Sequence, residues 1–565
     1  MELLEQHFDA AFAAPDGIKK LRELILTLAM QGRLVPQDPN DQPASELLRE
    51  IEAEKQRLVK EGKIKALKPL PAIKPEEVPY ELPVGWEWVR LGDSMLKITD
   101  GTHHSPPNTV SGDFLYISAK NIKDDGVLLS NATYVTREIH KEIYSRCDPE
   151  YGNILYIKDG ATTGIVTINN LIEPFSMLSS VALLKQPMQI NNRFLLFTLR
   201  SPFFYKEMRA GMTGVAITRV TLKKLQDALI PLPPFPEQHR IVIKIDQLMA
   251  RCDELEKLRA ERERLRLTVH AAALNRVLAY SGETSSDAWR FITRHFGELY
   301  AVKPNVAELR KAILQLAVMG KLVPQDPNDP PASELLKEIE ADKHRLLKEG
   351  KIKKPKPLPA IRPEEVPYEL PQGWEWVRVW DIAQLITSGS RDWAKYYSET
   401  GAIFVTMGNL SRGSYQLRMD TIRYVTPPID GEGSRTKLEE NDLLISITGD
   451  VGNLGLIPPD FGDAYINQHT CLLRFMTVCR NRYFPELMRS PLAKAQFDAP
   501  QRGIKNSFRL GDVGEMIIPL PPLPEQHRIV AKIDQLMALC DTLERQIESA
   551  TGKRTELLNA VMAQV

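Results

Sequence analysis

His239 and His527 each stand in the same five-residue string, Pro-Glu-Gln-His-Arg, at Pro236–Arg240 and again at Pro524–Arg528. A histidine beside a glutamate is the raw material of a general acid–base site. The repetition argues otherwise, because a catalytic group belongs in one pocket and these two copies share none. Capping or packing at the first turn of a helix is the better reading for both. His103 and His104 are adjacent, but nothing near them in the chain completes a metal site, so they read as loop residues. The cysteines (Cys147, Cys252, Cys471, Cys479, Cys540) are far apart and show neither a disulfide framework nor a zinc spacing. Cys252 and Cys540 occupy equivalent apolar helix positions and read as small core residues. No glycine-rich phosphate loop is present: the GKI at Gly350 and the GKR at Gly552 lack both the Ser/Thr and the upstream glycine. The DPPA at Asp329 approaches the Asn-Pro-Pro-aromatic motif of amino-methyltransferases but lacks the aromatic. Its counterpart at Asp41 reads DQPA, so both are turns. Neither HExxH nor GxSxG occurs. The chain reads as non-catalytic.

The repeated string is one of several. Leu34–Asp41 and Leu322–Asp329 both read LVPQDPND, and Gly85–Arg90 and Gly373–Arg378 both read GWEWVR, each pair offset by 288 residues. Between Arg90 and Ile230 the first copy shares almost nothing with Val379–Ile518 of the second. A duplicated frame therefore carries two divergent inserts of nearly equal length.

At 565 residues the chain is too long for one core and predicts about four packed units of roughly 150 residues each. Its 43% hydrophobic and 26% charged residues are those of a soluble globular protein. No apolar run approaches the ~18 residues that span a bilayer. The start, MELLEQHFDAAFAAPDG, is acidic and has no secretion-signal pattern. A reducing cytoplasm is the expected location. Net charge is zero. Glu81–Pro236 holds 16 Lys/Arg against 15 Asp/Glu, and Glu369–Pro524 holds 16 against 18. If such a chain binds nucleic acid, its partners must supply much of the charge that neutralises phosphate.

Each copy has the same order of parts. Ile18–Gly32 and Val306–Gly320 predict helices with one apolar stripe (Leu21, Ile25, Leu28, Ala29; Leu309, Ile313, Leu316, Ala317), each stopped by glycine. Ser45 and Ser333 are expected to cap second helices over about Glu46–Glu61 and Glu334–Glu349, ended by Gly62 and Gly350. Proline-rich connectors follow, Lys63–Pro83 and Pro355–Pro371, expected as extended spacers rather than packed structure. The inserts read as mixed α/β, with strands at Phe114–Ile122, Asn153–Ile157, Ile403–Leu410 and Asp442–Gly449. Each insert ends in IPLPP and hands over to a long helix. In the second copy Ile529, Ile533, Leu536, Cys540, Leu543, Ile547, Ala550, Leu557 and Val561 keep a coiled-coil spacing broken only at Arg554. In the first, Ile241, Ile245, Leu248, Cys252 and Leu255 do the same. Arg259 and Arg262 then interrupt, and the apolar line is expected to shift to Leu258, Leu265 and Ala272. A helix over Glu237–Leu278 would be about 60 Å long at ~1.5 Å per residue.

Taken together, these strings resemble the specificity subunit of type I restriction-modification enzymes. The matching parts are LPxGWEWVR at each insert start, PLPPxPEQHRIVxKIDQLMAxCDxLE at each insert end, and the central LRKAILQLAVMGKLVPQDPNDPPASELLKEIE. The first insert also has DGTHHSPP (Asp100–Pro107) before YISAKNI, while the second has TSGSRDW (Thr387–Trp393) in that place. The resemblance covers nearly the whole chain. It implies an α+β fold: two α/β target-recognition domains separated by long antiparallel coiled-coil helices, with a pseudo-two-fold internal repeat. The implied parts are a helical region 1–62, a connector 63–83, a target-recognition domain 84–235 and a long helix 236–280. Their repeats are 281–350, 351–371, 372–523 and 524–565. Each target-recognition domain would read one half of a split sequence in double-stranded DNA, and helix length would set the unread gap. The frame would dock two modification subunits, which carry S-adenosylmethionine and methylate adenine, and restriction subunits would join them. No cofactor is expected on this chain. The N-terminal helices are expected near the C-terminal helix, as the central helices lie beside the first long helix.

Base readout asks for Arg, Lys, Asn, Gln, Ser or Thr on loops that can enter a groove. In the first insert the candidates are Thr102, His103, His104, Lys120, Asn121, Thr162, Thr163, Thr218 and Arg219. In the second they are Ser390, Arg391, Trp393, Asn409, Arg412, Asn467, Gln468, Lys505, Asn506 and Arg509. Lysines and arginines among them more often hold phosphates than read bases. Two other readings stay open on the sequence: an adaptor whose two domains each bind a protein, and an enzyme with its site in one insert. A methylation-only system or a fused restriction-modification enzyme would use a similar chain.

Overall fold

A computed structural model describes residues 2–66, 69–210, 219–279, 282–353, 358–428, 433–499 and 508–564. They form two compact units, residues 1–262 with 550–565 and residues 263–549. Four separate units were expected. Frame and insert merge because the frame helix Ala44–Lys60 buries Ala44, Leu47 and Ile51 in the same core as the insert's Ile154, Tyr156, Ala182 and Leu184. In the second unit, Ala332, Leu335 and Ile339 of Ala332–Lys348 share a core with Leu443, Ile445, Cys471 and Leu473.

In the first unit, helix Gly17–Met30 ends as its stripe predicts: Gly32 sits at φ +67°, and Arg33 N–H donates to Leu28 O. The next helix differs at its start. Pro43 takes the cap position and Ser45 lies inside the helix, while Ala44 N–H donates to Gly85 O at 2.8 Å. The backbone of the GWEWVR string thus replaces the expected serine cap, and Ala332 N–H to Gly373 O repeats it in the second unit.

The connectors run extended with no buried side chain among their described residues, as expected, but neighbouring side chains pin them at several points. Arg90 is buried and donates to Pro71 O (2.6 Å), Asp227 O (2.7 Å) and the Glu77 carboxylate (3.0 Å). Tyr80 donates to Met30 O at 3.1 Å. Arg378 and Tyr368 hold the second connector through Pro359 O, Glu515 O, Glu365 and Val318 O. One guanidinium offers five fixed donors, which suits it to tying down a chain that lacks its own ladder.

Each insert is entered and left through a two-stranded antiparallel ribbon. Glu87–Arg90 pairs with Leu229–Leu232, and Glu375–Arg378 pairs with Ile517–Leu520 in the same register. The main sheets also match in order. In the first insert it is Lys97–Asp100, Val181–Lys185, Ile154–Ile157, Val166–Ile168; in the second, Ala383–Ser388, Thr470–Phe475, Leu443–Ser446, Leu454–Leu456. Beside each lies a smaller sheet with a parallel pair, Phe114–Ile117 with Ser176–Met177 and Ala402–Val405 with Ala464–Ile466. The strands expected at Phe114–Ile122 and Ile403–Leu410 are shorter, since each breaks into a 3₁₀ turn at Ala119–Asn121 or Met407–Asn409. Two inserts with little common sequence thus share the order of the main sheet and the parallel pair, while the second sheet has three strands in one and four in the other.

The long helices run Phe235–Ala279 (45 residues) and Leu523–Met562 (40 residues). Ile529, Ile533, Cys540 and Val561 are buried as the seam predicts, as are Ile241, Ile245 and Cys252. The shifted line is not observed: Leu258 and Leu265 are 54% and 47% exposed, and Ala272 is exposed. Of the two arginines that interrupt the seam, Arg262 is exposed and Arg259 is half-buried. Arg259 donates to Phe12 O at 2.6 Å, satisfying a carbonyl at the end of helix Glu2–Phe12. In the first unit Leu558 and Val561 pack with Ala11, Phe12, Ala14 and Leu24, joining the C-terminal helix to the N-terminal ones as expected. In the second, Ala273, Leu274 and Val277 share a core with Ala288, Ile292 and Val306.

Candidate nucleic-acid interface

The three duplicated strings meet in space. In the first unit the buried Glu237 carboxylate accepts from Trp86 Nε1 (3.0 Å) and from Gln37 Nε2 (3.1 Å), and Arg240 pairs with Asp41 at 2.6 Å. In the second, Glu525 accepts from Trp374 (2.9 Å) and Gln325 (3.1 Å), and Arg528 pairs with Asp329 at 2.6 Å. Burial pushes the Glu237 carboxyl above the usual range, further than Gln37 and Trp86 pull it down. The neighbouring glutamine binds the insert: Gln238 accepts from Asn191 N–H, and Gln526 accepts from Asn481. Arg193 and Arg482 then clamp Asp246 and Asp534 with two hydrogen bonds each. His239 packs edge-on against Phe235, in line with a packing role.

Each clamped insert gathers its loops around the turn that follows its central strand. In the first insert Lys158 N–H donates to Ser180 O, and Lys158 O accepts from Val220 N–H. In the second, Ile447 N–H donates to His469 O, and Ile447 O accepts from Phe508 N–H. The loop after the first sheet strand joins this cluster through a glycine that admits no side chain. A Cβ on Gly101 would lie 1.8 Å from Met177 O, and one on Gly389 would lie 1.9 Å from Ile466 O. Thr102 bridges to Leu178 and Ser390 to Asn467 as a result.

The chemistry of the two clusters differs. In the first insert, Asp100 contacts Arg146 (2.6 Å) and Lys158 (3.4 Å), with His103 Nε2 3.7 Å away. Lys158 also contacts Asp159 (3.4 Å), which pairs with Arg219 at 2.9 Å. Thr102, His103 and Arg219 are thereby brought together over a charged ladder. In the second insert the floor is built on a histidine: Thr448 Oγ1 lies 2.8 Å from His469 Nδ1, and Gln468 Nε2 lies 2.9 Å from His469 Nε2. Asn467 accepts from His469 N–H and Thr470 Oγ1. Arg412 pairs with Asp450 on the same turn, and Arg509 follows Phe508.

The other expected contacts divide by burial. His104, Lys120, Thr162 and Arg391 are exposed. Asn121 and Asn409 are buried, and each closes its own loop: Asn121 holds Ser118 N–H and Leu128 O, and Asn409 holds Thr406 N–H, Arg418 O and Thr421 O. Thr163 is buried and bonds Gly160 O within its turn. Trp393 is 2% exposed among Tyr396, Phe404 and Tyr465, which makes it core. These four side chains shape the loops and are not presented to a ligand. Thr218, Lys505 and Asn506 lie outside the described residues. Sequence reasoning missed Asp100, Arg146, Lys158, Asp159, Thr448 and His469. The adjacent Lys158 and Asp159 at a strand end were the one visible signal.

All five cysteines are free and buried. Among the described residues no cluster of His, Cys, Asp and Glu could hold a metal ion, and no helix is long and apolar enough to cross a membrane.

The family described as type I restriction modification DNA specificity domain matches residues 83–264 and 371–550, spanning both inserts and most of both long helices. The chain belongs to this family. The type I restriction enzyme EcoAI specificity subunit of Escherichia coli is 34% identical over 575 residues, 96% of this chain and 93% of that one. The EcoEI specificity subunit of Escherichia coli is 33% identical over 584 residues, with the same coverage. Among solved structures, the HsdS subunit of Thermoanaerobacter tengcongensis is similar over 86% of this chain and 98% of its own, at 19% identity and a TM-score of 0.41. DNA sequence recognition is the work of this specificity family, and membership implies DNA and partner subunits for this chain.

Proposed function

We propose that each insert of this specificity chain reads one half of an asymmetric, split DNA sequence. The observation that carries this is the pairing of identical mounts with unlike loop clusters. Trp86–Glu237–Gln37 and Trp374–Glu525–Gln325 fix the inserts alike, while a charged ladder in one cluster faces a histidine-centred neutral network in the other. Two unlike readers in equivalent seats demand unlike half-sites, and the long helices set the unread gap between them. The duplicated frame docks two adenine-methyltransferase subunits, and restriction subunits join the assembly in the cytoplasm. S-adenosylmethionine is carried by the modification subunits, and this chain does no chemistry itself.

Exchange of the second insert tests this reading. Cutting at the insert end of the ribbon, at Val379 and Ile518, leaves the Trp374–Glu525 mount intact. A chimera carrying another family member's insert is expected to methylate a site changed in one half only. A change in both halves would sink the modular reading.

A further inference from the structure

A groove opens at the same place in both copies of the frame. Glu52, Lys55, Gln56 and Val59 line it in the first unit, and Glu340, Lys343, His344 and Leu347 line it in the second. These positions make one face of helices Ala44–Lys60 and Ala332–Lys348. Asp93 and Asp381, from the first turn of each insert, line the grooves as well. Those turns read LGDS at Leu91–Ser94 and VWDI at Val379–Ile382, so the aspartate is the one residue they share.

Each groove holds a lysine that lacks a close anion. Lys55 Nζ donates to Gly92 O (3.1 Å) and Asp93 O (2.6 Å), and Lys343 Nζ donates to Trp380 O (2.6 Å) and Asp381 O (2.8 Å). An ammonium has three donors, so one on each lysine is left over. Among the described residues no carboxylate forms an ion pair with either. Lys55 is 9% exposed, and Lys343 is half-buried. Burial pushes both below the usual lysine range, against the pull of Asp93 and Glu52 in one and Asp381 in the other. A desolvated cation without a paired anion is costly, and an incoming carboxylate relieves that cost.

The signs of the groove charges are kept across the repeat. Elsewhere on the frame they are not. Helix Gly17–Met30 carries the ion pair Lys20–Glu23, and helix Lys303–Val318 carries it reversed, as Glu308–Lys311. A pair that serves only its own helix can exchange its signs. Glu52, Lys55 and Asp93 return as Glu340, Lys343 and Asp381 with no exchange, although Glu52 and Glu340 are exposed. Kept signs at exposed positions fit an outside partner that meets both copies.

We propose that the two grooves seat the two modification subunits, each of which sets an aspartate or glutamate against Lys55 or Lys343. This inference rests on the reading of the frame as a dock for two such subunits, and it locates the dock. Two copies of one partner need two like surfaces, and these surfaces share a shape and an unpaired cation. Val59 and Leu347 are half-buried beside the lysines, so the docking segment carries apolar residues next to its acid.

The test titrates the full chain with a type I modification subunit that forms a stable complex with it, and counts bound copies by native mass spectrometry. Val59→Glu and Leu347→Glu each place a carboxylate one helical turn from the lysine, where it competes with the partner's acid. Each single variant is expected to keep one modification subunit tightly and to weaken the other by about 30-fold or more. The double variant should weaken both. The copy retained by each single variant shows that the chain is folded. Gln56→Glu and His344→Glu, at exposed positions of the same wall, should weaken the same seats without touching a core. Two copies bound at wild-type affinity by the double variants would overturn the proposal. Equal weakening of both copies by a single variant would also overturn it, because each groove serves one subunit. A wild-type chain that binds no modification subunit, or only one, would refute the reading of the frame first, and this inference with it.

Discussion

Arg474→Ala is expected to destabilise the second insert by about 3–5 kcal/mol. Arg474 holds the buried Asp442 with two hydrogen bonds of 2.7 Å and reaches Glu439 at 2.6 Å and Lys437 O at 3.0 Å. Asp442 stands at the head of the central strand Leu443–Ser446, on which the loop cluster is built. Burial pushes its carboxyl above the usual range, and the Arg474 guanidinium pulls against that shift. Without the guanidinium, a carboxylate that is 1% exposed has no cation to replace it. The corresponding pair in the first insert behaves differently. Lys185 contacts Asp148 (2.7 Å) and Glu150 (2.8 Å), whose side chains are 31% and 64% exposed, so water can take over from the lysine. Lys185→Ala is expected to cost about 1 kcal/mol or less. Urea unfolding followed by hydrogen exchange in each insert measures both. Equal losses at the two positions would contradict the assignment of Arg474 as a buried neutraliser.

Glu237→Ala and Glu525→Ala are expected to destabilise their own units by similar amounts, about 1–3 kcal/mol each, the cost typical of one buried donor left unpaired. Both carboxylates accept from an indole and a glutamine amide at matching distances; each variant orphans the buried indole, while the exposed Gln37 and Gln325 keep Gly32 O and Gly320 O. Relief of the desolvated carboxylate works against this loss at Glu237, where burial raises the pKa. Glutamine, which keeps one acceptor, should therefore be milder than alanine. The readout is hydrogen exchange in the 34–41 and 86–90 segments for one variant and in 322–329 and 374–378 for the other. If exchange rises only in the long helix and not in those segments, the mount does not join the three strings as described.

The frame was legible because its strings recur, and they recur because they touch. Trp86, Glu237 and Gln37 come from three places in the chain and meet at one carboxylate, so no one of them can change alone without leaving a buried polar group unpaired. The inserts were legible only as mixed α/β. Their shared sheet order could not be read from the sequence, because apolar strands of many compositions fill the same core. At the candidate interface, residue type misled wherever burial decided. Trp393 sits in a polar stretch and looks like a loop aromatic, yet its partners Phe404 and Tyr465 arrive from strands far along the chain. Asn121 and Asn409 look like base readers and serve as loop locks. The contact of Arg146 with Asp100 could not be read from the sequence, because the two lie 46 residues apart. In the first long helix the arginines seemed to break the seam, but Arg259 uses its position to reach Phe12 O.

The central claim is that two unlike readers on one duplicated frame define one split site. The most direct measurement is to co-express the chain with a modification subunit of a type I system that forms a stable complex with it and map methylated adenines across the host genome. The expected result is a single motif with two unlike halves and a fixed gap. A continuous motif, two identical halves, or a stable complex that leaves the genome unmethylated would contradict it.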